Sequence, residues 1–299
     1  LQLHSCWWIG ELALVAFVFL PAYSWGYAYY NHKWIALRAT MQVLVMIIIF
    51  IFGLPMLLYS FDLMPRSHFT MDPILFQILL IVAFPGLVAV VDLVSKGRGT
   101  PFPYDKTEYL VVSGVYAYIR NPIQWSFTLM FIPMAIYHNS WFVLLGSVLS
   151  VAYSLTIADY QENKDMEERF GEQWVLYFSE VPKWFFSWRP FQYNVGTMYF
   201  DHGCSQCSQL SQWFVDRKVD HLNINDANEY VKGAFRKVTY VSNDGSIYTG
   251  VSALAHALEH INLVYATVGW FIRFPLIAYI FDKIVYSMGY DKINQRYNI

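Results

Sequence analysis

Two short stretches of this chain bring together residue types that could do chemistry. In SGVYAYIRNPIQW, residues 113–125, Arg120, Asn121 and Pro122 stand directly before a hydrophobic run, with Tyr118 and Tyr116 two and four positions upstream of the arginine. A cation, an amide and phenols at the start of an apolar helix can hold a polar ligand at a lipid boundary. A snorkelling arginine and an interfacial tyrosine belt produce the same pattern. In YFDHGCSQC, residues 199–207, Cys204 and Cys207 have Cys-x-x-Cys spacing, which suits a redox pair or half of a metal site. His202, His256 and His260 could complete a Cys₂His₂ zinc site; two inert structural cysteines are the plainer reading.

Composition says what must position these groups. Of 299 residues, 56% are hydrophobic, 19% aromatic and only 14% charged, where a water-soluble domain carries about a quarter charged residues. The deficit points to lipid. A net charge of −2 provides no electrostatic footprint for nucleic acid. Residues 41–59 and 73–91 carry no charge, whereas 159–189 and 216–246 carry many, so a membrane part precedes a soluble part. Three cysteines (Cys6, Cys204 and Cys207) cannot build a secreted disulfide framework. The opening apolar segment lacks a basic leader and a small-residue cleavage site, and reads as a retained helix.

A helix needs about 20 apolar residues to cross a bilayer core of roughly 30 Å. Segments near 9–30, 40–60 and 73–94 meet this plainly, and Pro85 is expected to kink the third. Two shorter runs, 123–137 and 141–158, flank His138-Asn139-Ser140 and predict a helical hairpin that starts with Pro122 at its first helical position. The fold expected is thus a multi-pass α-helical membrane domain of about five transmembrane helices, residues 1–192. Lys33, Arg38, Lys96, Arg98, Lys106 and Arg120 lie on one side, with Lys164, Arg169, Lys183 and Arg189, and only Arg66 lies opposite. The positive-inside bias then places the amino terminus outside and the carboxyl terminus in the cytoplasm or an equivalent inner compartment.

Residues 159–180 read as a charged amphipathic helix, and VPKWFFSWRPF, 181–191, as interfacial. From 193 to 299 the pattern predicts a small α/β domain. VGTMYFD is a strand, the Cys-x-x-Cys opens a helix to about Arg217, and VDHLNIN is a second strand. RKVTYVSNDGSIYTG is a hairpin turning at Asn243-Asp244-Gly245. A helix over 251–260 and a long aromatic helical region over 263–288 follow. Arg273, Pro275, Asp282 and Lys283 argue against that last region being a sixth membrane helix.

GRGTPFP, LVVSGVYAYIRNP, the hairpin and YQENKDMEERFGEQWVLYFSEVP follow one another over about 70–190. This order resembles the isoprenylcysteine carboxyl methyltransferase and phospholipid methyltransferase family of integral membrane enzymes. The resemblance implies S-adenosylmethionine as cofactor, no resident metal, and a lipid-linked or amphiphilic acceptor arriving from the bilayer. It implies that Glu162 accepts hydrogen bonds from the cofactor's amine or ribose, and that Tyr116, Tyr118, Asn121 and Pro122 wall the pocket. Arg120 would bind a carboxylate of cofactor or substrate. Asn163 stands at the cofactor site where the family has a second glutamate, and Gln124 where it has a tyrosine; neither amide supplies a carboxylate's charge.

YFDHGCSQC, residues 238–258 and GWFIRFP together resemble the DCC family of thiol-disulfide oxidoreductases, over about 195–290. That resemblance implies a thioredoxin-like fold, with Cys204 as the attacking sulfur and Cys207 as the resolving one. A helix amino terminus would stabilise the Cys204 thiolate. Thioredoxins proper place a cis-proline beside the cysteines, and no proline lies between Pro190 and Pro275. Three functions are therefore expected to compete: a membrane methyltransferase with a fused redox domain, a membrane-tethered oxidoreductase, and a non-catalytic subunit of a larger membrane complex.

Overall fold

The computed structural model describes residues 7–64, 72–102, 105–191, 195–201, 205–217, 219, 221–230 and 238–287. Cys6, Arg66, His202 and Cys204 lie outside them. Helix α1 covers 7–30, α2 covers Ile35–Ser60 and α3 covers Pro73–Gly97, each with a π-helical turn in or at the end of its run. Among the described residues, these three hold the helices long and apolar enough to cross a bilayer singly. The bent pair Leu263–Ile272 and Pro275–Ile284 makes a fourth if taken as one span; the expected five are not reached. Large side chains of the three remain outward-facing, as with Phe17, Ile48, Ile49 and Ile81, so a continuous apolar exterior awaits lipid. The chain is an integral membrane protein on this evidence.

Local chemistry sets the ends of these elements. Asp72 caps α3 by accepting from the amides of Ile74 and Leu75 at 2.8 and 3.3 Å. Helix α4, Pro122–His138, opens with proline at its first turn and closes on Asn139, whose φ of +47° a short amide tolerates. The hairpin is as expected, but its second arm does not stop where hydrophobicity does. Helix α5 runs unbroken over 141–170, carrying an apolar stretch directly into the charged one. Its 30 residues span about 45 Å at 1.5 Å per residue. Helix α6, Glu172–Glu180, turns back after Gly171.

Helix α3 continues through Pro85. The next amide, Gly86, donates to Ser126 Oγ of α4 at 2.8 Å. A Cβ at Gly86 would lie 2.8 Å from Ser126 Cβ, so only glycine lets the two helices cross this closely. That crossing fixes where α4 begins. Arg38, expected in a loop, sits inside α2 and is buried against Asp105 at 2.6 Å.

The carboxyl-terminal region forms a small mixed sheet. Strands β1 (Gly196–Phe200), β2 (Leu222–Asp226), β3 (Thr239–Val241) and β4 (Ile247–Thr249) lie in the order β2-β1-β3-β4. β1 and β2 are parallel, with Gly196 opposite Leu222, and the other pairs are antiparallel. Helix α7, Ser205–Asp216, connects β1 to β2; α8, Val251–Leu258, follows the hairpin. Met198, Phe200, Phe214, Tyr240, Ala253 and Ala257 form the core beneath. Helices α9, Leu263–Ile272, and α10, Pro275–Ser287, replace the single long helical region and meet at 81°. A second core unites the halves: Val88 and Ala89 of α3, Val115, Tyr118 and Ile119 pack with Ala266 and Trp270 of α9.

Candidate functional site

The stretch from Gly114 to Asn121 opens with a short 3₁₀ turn, Gly114–Ala117. Gly114 has φ +68°, and a Cβ there would fall 2.2 Å from Asp92 Oδ2, so the turn needs glycine for both its torsion and its closeness. Two neighbours hold the stretch. The Tyr177 hydroxyl of α6 donates to the carbonyl of Tyr116 at 2.9 Å. The segment 181–191 lies alongside as a strap: Arg120 N donates to Pro182 O, Ser187 N to Tyr118 O and Phe191 N to Ala117 O, at 2.7–2.9 Å.

These supports leave a cavity of about 590 Å³. Tyr116, Arg120, Asn121, Pro122 and Gln124 form one wall. Glu162, Asp165, Met166 and Arg169, one helix face of α5, form the facing wall. The loop before the motif closes a third side with Thr100, Phe102 and Lys106. Met46, Phe127 and Tyr153, from α2, α4 and α5, line its apolar end. A space with one polar end and one apolar end suits an amphiphile.

Charge is arranged unevenly around it. Lys106 pairs with Asp165, which Arg169 also meets at 3.2 Å; Arg169 further donates to the carbonyl of Thr107. These contacts stitch the loop to α5. Arg120 stacks on the Phe178 ring at 3.9 Å and donates from Nη1 to the Phe178 carbonyl at 2.7 Å, closing the last turn of α6. Burial lowers its pKa, against the pull of Tyr177, Asp159 and Glu162. Burial pushes the Glu162 carboxyl above its ordinary value; Lys183, Arg120 and a hydrogen bond from Asn121 oppose that rise. Lys183 itself meets Asp159 at 2.9 Å and donates to the Ser154 carbonyl.

Five of the residues singled out in the sequence therefore converge: Tyr116, Arg120, Asn121, Pro122 and Glu162. Two do not. Tyr118 points into the shared core, edge-on to Trp270 at 5.6 Å, and its hydroxyl donates to the Glu259 carbonyl at 2.8 Å. The 3₁₀ turn separates it from Tyr116, since side chains two apart on such a turn do not share a face. Asn163 donates to Asp159 Oδ1 at 3.2 Å and does not line the cavity. Lys106, Thr100, Phe102 and Arg169 were not singled out as site residues. GRGTPFP marked the loop that carries Thr100 and Phe102, but nothing local marks which side of a loop, or which face of α5, forms a wall.

In the carboxyl-terminal unit, Cys207 is buried in the first turns of α7 and Asp201 is buried just after β1. His256 Nδ1 lies 3.4 Å from Glu259 Oε2, and His260 Nε2 lies 2.8 Å from the Tyr240 hydroxyl. Among the described residues, no three His, Cys, Asp or Glu side chains gather as a metal-holding group.

Residues 92–173 match the phospholipid methyltransferase family model. The matched segment begins at Asp92 and takes in the loop, the Arg120 stretch, the hairpin, Glu162 and the start of α6. It supports a membrane methyltransferase in general and stops short of the Cys-x-x-Cys unit. No curated protein and no solved structure matches the chain.

Proposed function

We propose that this chain is an integral membrane methyltransferase that takes a methyl group from S-adenosylmethionine and passes it to a membrane-associated acceptor. One observation carries the reading. Tyr116, Arg120, Asn121 and Pro122 meet Glu162 around one cavity, although a complete helical hairpin separates them in sequence. The family match covers the same residues.

The residues fit the cofactor. The volume is within the roughly 300–1,000 Å³ of small-molecule sites. Glu162, hydrogen-bonded by Asn121, can accept from an ammonium or ribose hydroxyls. Arg120 uses Nη1 on Phe178, and a guanidinium has further donors for a carboxylate. When bound, the cofactor supplies a methyl already activated on a sulfonium. The chain's own residues orient it and exclude water, and positioning and desolvation account for the rate. Met46, Phe127 and Tyr153, drawn from apolar helices, would receive the hydrocarbon part of the acceptor. Placing the amino terminus outside would put the polar end of the cavity on the inner face, where a soluble cofactor arrives.

Calorimetry with S-adenosylhomocysteine in detergent tests this. Saturable binding by the wild type that disappears in Glu162→Ala is expected. A wild type that binds nothing, yet co-purifies with fixed partners, overturns the reading in favour of a non-catalytic subunit.

We read the unit from 195 onward as a thioredoxin-like dithiol–disulfide domain of the DCC type. A β-α-β unit followed by an antiparallel hairpin and a helix supports that, as does Cys207 at the start of α7. Cys204 would attack a substrate disulfide and Cys207 would release the mixed disulfide. Thiol trapping across glutathione buffers should yield a defined potential, lost in Cys204→Ser.

A further inference from the structure

We propose that the α9–α10 elbow is a re-entrant membrane element: it dips into the hydrocarbon of one leaflet beside α3, seating the carboxyl-terminal unit on the bilayer. The depth comes from Phe84. It is the twelfth residue of the 25-residue stretch Pro73–Gly97, so it lies near the middle of a span. Its ring meets Phe271, in the last turn of α9, at 6.3 Å and Phe274, in the bend, at 6.5 Å. The bend of 81° turns the chain away before it can cross.

The charges that speak against insertion are satisfied elsewhere. Arg273 faces inward, against Asp92 at 2.8 Å and Glu259 at 2.6 Å. Asp282 Oδ1 lies 3.5 Å from the amide of Val251 at the start of α8. Lys283 lies over the Tyr279 ring at 5.5 Å, with a stem long enough to reach the headgroups. What remains outward on these helices is mostly apolar: Val264, Val268, Phe271, Leu276, Tyr279 and Ile280 are all exposed, and the exposed Thr267 turns its hydroxyl back to the Leu263 carbonyl at 2.8 Å. On α3, Leu80 lies one turn before Phe84, and both Leu80 and Ile81 are bare as well. The occupant that suits both is acyl chain, since a helix elbow packed at mid-span depth has lipid for its neighbour.

Photo-crosslinking tests the placement. A benzophenone amino acid is introduced singly at Leu276 or Ile280 of the full chain, in phosphatidylcholine nanodiscs. Phe17, bare on α1, serves as the lipid control and Asn243, in the hairpin turn, as the water control. Mass spectrometry should find lipid adducts at 276 and 280 at the level of position 17, and none at 243. Adducts as scarce as at 243 overturn the proposal. So do crosslinks to a second copy or to another protein, which would make this face a protein interface.

Discussion

Arg273 donates to Asp92 at 2.8 Å across 181 positions of sequence, joining the bend between α9 and α10 to helix α3. Glu259 meets the same guanidinium at 2.6 Å, and Lys96 meets Asp92 at 3.0 Å. Two anions and two cations thus balance in a place with little water. Burial works against the Glu259 carboxylate, yet Arg273, His256 and Lys96 hold it well below the usual range. Tyr118 closes over this cluster through the Glu259 carbonyl. The underside of the Tyr116–Asn121 stretch is therefore the seat of the carboxyl-terminal unit, and its upper side is the cavity.

That arrangement makes Asp92 a residue whose loss strands a buried cation. Asp92→Ala should cost about 3–5 kcal/mol, because the penalty comes from the uncompensated partner rather than from the missing attraction. Removing Arg273 as well leaves Lys96 and Glu259, one charge of each sign. The Asp92→Ala/Arg273→Ala pair should accordingly cost less than the sum of the single changes. Thermal unfolding in detergent, run as a double-mutant cycle, measures the difference. Additive costs would mean that the two side chains act independently.

The α3–α4 crossing yields a steric prediction. Valine at Gly86 must displace Ser126, whose Cβ and Oγ lie 2.8 and 2.9 Å from the new Cβ, with the Ile123 backbone 3.6 Å away. Overpacking of this kind costs about 1–3 kcal/mol. It should also weaken S-adenosylhomocysteine binding, because Ile123 adjoins Pro122 at the cavity wall. Ser126→Ala keeps the space and removes only the hydrogen bond to Gly86, so about 1 kcal/mol of stability should go and binding should stay.

The sequence showed the three long spans, the hairpin turn and the β-hairpin, because each is written in local hydropathy or turn chemistry. The convergence of the Arg120 stretch on Glu162 was legible too, through resemblance rather than through pattern. What stayed hidden depends on contacts between distant positions. The pairing of Arg38 with Asp105 spans 67 residues and leaves no periodic trace. Charge density marks the water boundary at residue 159, whereas helix continuity ignores that boundary, so α5 ran on past it. The bend at Arg273 was masked for a related reason: its charge argued for a soluble helix, and only the fold reveals Asp92 waiting for it.

Acid should loosen the domain junction. Burial pushes His260 down to about 4; Glu259 opposes this, whereas His256, His221 and Lys96 add to it. The Tyr240 hydroxyl faces the ring at 2.8 Å. In the unfolded chain a histidine takes up its proton near 6.5. Between about 6.5 and 4 the unfolded state therefore binds a proton that the folded state refuses, so stability falls as pH falls through that window and levels off below it. Melting temperature followed from pH 7 to 4 should decline, and His260→Gln should flatten the decline. An equal slope in the variant would locate the titration elsewhere.

Glu162 gives the sharpest test of the cavity's chemistry, because its protonation and its proposed ligand compete. Burial raises the carboxyl's pKa in the free protein, and a bound ammonium would lower it again. Above the raised value the carboxylate is ionised and affinity for S-adenosylhomocysteine should be flat. As pH drops through that value the free protein takes up a proton that must leave before binding, so affinity should fall, up to tenfold per unit, until the bound form titrates as well. The decline should begin above the ordinary carboxylate range. Glu162→Gln keeps the size and removes the charge: binding should weaken roughly ten- to a hundred-fold, the worth of a charge-assisted hydrogen bond, and lose its acid limb. If calorimetry returns the same limb in both proteins, the group that titrates is another one, and Glu162 does not hold the ligand's cation.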